Sequence, residues 1–113
     1  MPTKLEVMTA LLKQGETHVL LDPRQPGVDV PGEFTKQDEL VLKFSYRYEA
    51  VHLTVNEWGI RAGLKFGRHF WPVAIPWDAI YAIGHRGGKG AGWDKPAEPL
   101  PAMKTAGGLR LVN

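Results

Sequence analysis

The chain has 113 residues, 43% of them hydrophobic, and a formal charge of +2, which allows one ordinary domain with a single core and little more. It has no cysteine, so disulfides, thiolate catalysis and most structural zinc sites are excluded. The longest apolar runs are under about ten residues, too short to span a bilayer, and the start MPTKLEVMTALLKQ lacks the pattern of a secretory leader, so a soluble cytoplasmic protein is expected.

The charge is uneven along the chain. Residues 1–40 carry four Lys/Arg against seven Asp/Glu, whereas 41–113 carry ten against five. Between Trp58 and Pro76 there is no acidic residue, while Arg61, Lys65 and Arg68 fall there, so this stretch should present a positive surface to something anionic.

Taken in chain order, Pro2 suits a first helical turn, and Leu5, Met8, Leu11 and Leu12 follow at helical spacing until Gly15 supplies a stop. THVLLD is a dense apolar run of strand type. DPRQPGVDVPGEF then places three prolines in nine residues, which excludes helix and central strand and leaves an ordered loop or irregular edge. LVLKF, residues 40–44, reads as a strand, and AVHLTV alternates Val51, Leu53 and Val55 against His52 and Thr54. NEWG, residues 56–59, has the chemistry of a hairpin with a residue at positive φ. The return strand IRAGLKF turns Ile60, Ala62, Leu64 and Phe66 inward and Arg61, Gly63 and Lys65 outward, so two cations share a face with a bare glycine between them. Without a side chain at Gly63, another chain can approach the backbone closely, or the glycine simply marks a bulge. FWPVAIP is a further strand, Pro76 opens a turn of helix, and AIYAI ends the apolar pattern at Ile83.

From Gly84 onward the composition is mostly Gly, Pro, Lys and Ala, which predicts a domain over 1–84 and a flexible tail over 85–113. Composition gives Trp93 no role in such a tail. The tail ends, against its own composition, in Leu109, Arg110, Leu111 and Val112, three apolar side chains and a cation that require a receiver.

Catalytic patterns do not emerge. His18, His52, His69 and His85 show no metal-ligand spacing, and GHRGGKGAG departs from a phosphate loop because Lys89 is followed by Gly90 and no apolar helix comes after. Ser45 is the only serine, and Glu57 and Asp78 are isolated carboxylates. The residues call for no catalytic group, no metal and no cofactor, and an enzyme is not expected.

HVLLDPRQPGVDVPGEF, ELVLKFS, the hairpin at Asn56, KFG at 65–67 and VAIPWDAIYAI at 73–83 together resemble SspB, the stringent starvation protein B family of adaptors for the ClpXP protease. LRLV at 109–112 resembles the family's terminal cluster, which docks on the zinc-binding N-terminal domain of ClpX. The resemblance implies a mainly β fold with one N-terminal helix, a small open barrel-like pair of sheets with an Sm- or SH3-like meander, and a flexible C-terminal tail. It implies a groove for ssrA-type tags on proteins from stalled ribosomes, lined by Phe44, Ser45, Tyr46, Arg47, Lys65 and Phe66, with plain core as the other reading of Phe44 and Phe66. Arg61 and Gly63 join that groove from the acid-free strand. It also implies homodimerisation through the N-terminal helix, by Leu5, Met8 and Leu12, and docking on ClpX through Leu109, Arg110, Leu111 and Val112. A membrane or nucleic-acid partner is not expected on this reading. The alternative is a small strand-rich barrel that binds RNA through Arg, Lys and aromatic side chains.

Overall fold

A computed structural model describes residues 3–46 and 51–97 of the chain. Among them are one α-helix, seven strands and two short 3-10 turns, with every strand pairing antiparallel. Helix α1 spans Lys4–Gln14. It begins with a reciprocal cap: the Glu6 N–H donates to Thr3 Oγ1, and the Thr3 N–H donates to Glu6 Oε1. Gly15 ends the helix as expected, its N–H donating to the Leu11 carbonyl at 3.2 Å.

The first sheet has the order β2-β1-β6-β7, with β1 Thr17–Leu21, β2 Leu40–Phe44, β6 Ile80–Gly84 and β7 Gly90–Gly92. The second has the order β3-β4-β5, with β3 Val51–Val55, β4 Gly59–Phe66 and β5 His69–Pro76. The two remain separate open sheets rather than a closed barrel. Period-two alternation accounts for the core: Val19 and Leu21, Leu40, Leu42 and Phe44, Ile60, Ala62 and Leu64, and Val73 and Ile75 point inward and are buried with Met8, Leu11 and Leu12 of α1. No helix of the described residues is long and apolar enough to cross a membrane.

Both hairpins of the second sheet follow from their turn residues. Asn56 Oδ1 accepts the N–H groups of Trp58 (2.9 Å) and Gly59 (3.3 Å), closing the β3–β4 turn, with Gly59 at φ 155°. Phe66 faces His69 across a two-residue β4–β5 turn in which Gly67 adopts φ 62°. The proline-rich segment lies along the outer edge of β5, where Asp29 and Ala74 exchange both backbone hydrogen bonds, at 2.8 and 3.1 Å.

The expected domain end at residue 84 is too early. Strand β7 pairs with β6 through Ala82–Gly92, Ile83–Ala91 and Gly84–Gly90, and the Trp93 N–H donates to the Tyr81 carbonyl at 2.8 Å. Trp93 packs against the core cluster with the Lys4 ammonium 5.5 Å from its ring centre. Gln25 Nε2 donates to the Ala97 carbonyl at 2.8 Å, so contacts with the body extend at least to residue 97. What composition presents as a flexible linker is a hairpin whose glycines permit close approach: a Cβ at Gly90 would stand 2.8 Å from the Ile83 carbonyl oxygen.

Candidate peptide-binding face

The outward face of the second sheet is set by the alternation of β4. Burial of Ile60, Ala62 and Leu64 turns Arg61, Gly63 and Lys65 the other way. Alternate residues along a strand are about 6.6 Å apart, so the Cα positions of Arg61 and Lys65 stand about 13 Å apart with a side-chain-free position midway. Across the ladder, β5 sets Ala74 opposite Arg61, Pro72 opposite Gly63 and Phe70 opposite Lys65. Low residues therefore occupy the middle and tall ones the ends. The result is a shallow trough of about 400 Å³, whose lining includes Arg61, Gly63, Pro72 and Ala74, with His52 on the β3 side and Asp29 on the β5 side.

Polar groups of this trough are oriented by neighbours. The Arg61 guanidinium stacks on the Trp58 ring at 4.0 Å from its centre. Asp29 Oδ1 accepts from Trp71 Nε1 at 3.0 Å, which ties the acid to the β5 edge. Ala74 directs its N–H and C=O toward Asp29, and strand alternation directs those of Phe70, and the carbonyl of Pro72, to the same edge. Phe70 is 59% exposed, an apolar side chain beside Lys65. Cations, a bare backbone, an exposed aromatic ring and edge hydrogen-bonding groups suit an extended acidic peptide.

The expected site residues divide between the two sheets. Arg61, Gly63 and Lys65 come together on the outward face of β4. Phe66 is half-buried, its ring centre 5.5 Å from that of Phe34. Phe44 is 1% exposed and belongs to the core, the second of its two readings, because its position in the β2 alternation points it between the layers. Ser45 is buried and Tyr46 is 60% exposed, and both line a second cavity of about 360 Å³ against the C-terminal end of α1. Arg47 and the cluster Leu109, Arg110, Leu111 and Val112 lie outside the described residues. On α1, Met8 and Leu12 are buried in the protomer's own core, which removes them from a surface seam, and Leu5 is only half-buried. His52, Asp29, Trp58 and Phe70 were not anticipated at the site. The acid-free run from Trp58 to Pro76 already contains Trp58 and Phe70, whereas Asp29 and His52 arrive through cross-strand placement.

Among the described residues no group of three or more His, Asp or Glu is placed to hold a metal. The family model described as SspB, stringent starvation protein B, matches residues 5–102. No curated protein matches the chain.

Proposed function

Because the chain belongs to the stringent starvation protein B family, adaptors that serve the ClpXP protease, we propose that it captures ssrA-type degradation tags and delivers their bearers to ClpX. The adaptor role is the family's; the tag, the groove and the docking segment are our reading for this chain. The observation that carries it is the trough over Gly63, flanked along β4 by Arg61 and Lys65 and bordered by the β5 edge, which Asp29 occupies at Ala74 and which continues past Pro72 to Phe70. An extended acidic tag gains cations that raise its encounter rate, and main-chain partners along β5. Lys65 supplies a mobile point charge, whereas the stacked Arg61 supplies a fixed donor plane.

Delivery is assigned to Leu109, Arg110, Leu111 and Val112. Burying three such apolar side chains yields about 1.5–3 kcal/mol each before ordering costs, a weak contact that two copies in a dimer strengthen through effective concentration. With Met8 and Leu12 committed inward, the dimer seam is assigned to the flank of α1 carrying Val7 and Ala10, which borders β7 across an apolar groove of about 660 Å³.

Titration of a labelled tag peptide into the purified protein tests the capture step. Lys65→Glu should weaken binding about tenfold, equivalent to about 1.4 kcal/mol. Unchanged affinity would remove Lys65 from the groove, and no binding by the unaltered protein would sink the tag assignment.

A further inference from the structure

Strand β3 contains a residue whose backbone is not extended. His52 has φ 55°, in the left-handed region that costs a residue with a Cβ about 1 kcal/mol or more. The register shows why the chain bends there: Val51 stands opposite Gly63 and Thr54 opposite Arg61, so His52 and Leu53 together face Ala62 in a bulge. Leu53 is half-buried against the core, whereas His52 is exposed at the mouth of the trough. A glycine would satisfy the bulge without strain. The backbone thus explains the bulge but not the imidazole.

The trough is electrically lopsided. Its β3–β4 side offers the Arg61 guanidinium and the His52 ring, both donors, while Asp29 stands at the opposite, β5 side with Oδ1 held by the Trp71 indole. A carboxylate crossing the sheet is favoured on the first side and repelled from the second. We propose that His52 is a specificity-determining residue of this trough: its ring donates to an Asp or Glu carboxylate of an extended peptide seated over Gly63, beside Arg61. The inference rests on the tag-binding reading and adds to it the position at which an acidic residue is read.

The test is a cycle between protein and peptide. A labelled tag peptide and its analogue with Asp and Glu replaced by Asn and Gln are titrated into the unaltered protein, His52→Gly and His52→Asn. Glycine keeps the left-handed backbone without a ring, and asparagine tolerates the same backbone while offering a shorter amide donor. His52→Gly should bind the acidic peptide about tenfold more weakly and the amide analogue nearly as before, as expected for loss of a hydrogen bond to a charged group. His52→Asn should recover part of the loss, and its thermal midpoint, with that of His52→Gly, reports whether the fold is intact. Equal losses for both peptides, or no loss for either, would overturn the assignment while leaving tag binding standing. Failure of the unaltered protein to bind either peptide would overturn both.

Discussion

The guanidinium of Arg61 lies over the ring of Trp58, 4.0 Å from its centre, three residues back in the β3–β4 turn. The stack fixes a long side chain that would otherwise lose rotamer freedom on meeting a ligand. Trp58→Ala should therefore weaken tag binding about two- to fivefold, chiefly through dissociation, with Arg61 still present. Unchanged affinity in an anisotropy titration would show that the stack does not prepare Arg61 for the ligand.

The assigned dimer seam makes a separate prediction. Val7 is half-buried on the flank of α1 beside β7, so a carboxylate there would be desolvated at an interface but tolerated in a lone protomer. Val7→Asp should sediment as a monomer at micromolar concentration and keep its peptide affinity per chain. Sedimentation identical to that of the unaltered protein would exclude this flank as the seam.

Asp22 is a fully buried carboxylate at the end of β1. Burial pushes its pKa up, but the hydrogen bonds from the Arg24 side chain and backbone and from Gln25 outweigh that effect and hold it below the ordinary value. A lowered folded-state pKa means stability present above the unfolded carboxylate value and lost as pH falls through the folded one. Asp22→Asn should cost about 1–3 kcal/mol in urea unfolding at neutral pH. The difference from the unaltered protein should shrink below about pH 4, and a gap independent of pH would refute the charged role.

Trp93 joins the core cluster, receives the Lys4 cation on its ring and donates its N–H to Tyr81. Trp93→Ala should lower unfolding stability by about 2 kcal/mol, less than for a fully buried tryptophan. A change within experimental error would return residues 85–97 to the status of an appendage.

That residue also marks the limit of what the sequence discloses. Leu40–Phe44 and Gly59–Phe66 are legible because each has one wet and one dry face, and burial writes that difference as alternation. Asn56 and Gly59 are legible because their turn needs their chemistry. Strand β7 has no apolar signal: Gly90 and Gly92 serve backbone proximity to β6, and glycine chosen for proximity looks the same in sequence as glycine chosen for freedom. The two cations around Gly63 are legible from spacing, but the bulge at His52 and the arrival of Asp29 depend on pairing with distant segments. Phe44 has two readings, groove wall by family resemblance and core by its alternation with Leu40 and Leu42, and its burial makes it core.

Delivery needs a body that grips a tag and a separate segment that recruits the protease. Degradation of a tagged reporter by ClpXP, at substrate concentrations well below saturation, measures both at once when the full chain is compared with one ending at Ala102. The two should bind labelled tag peptide alike, and only the full chain should accelerate degradation. Equal acceleration by the shortened chain, or none by the full chain, would contradict the account.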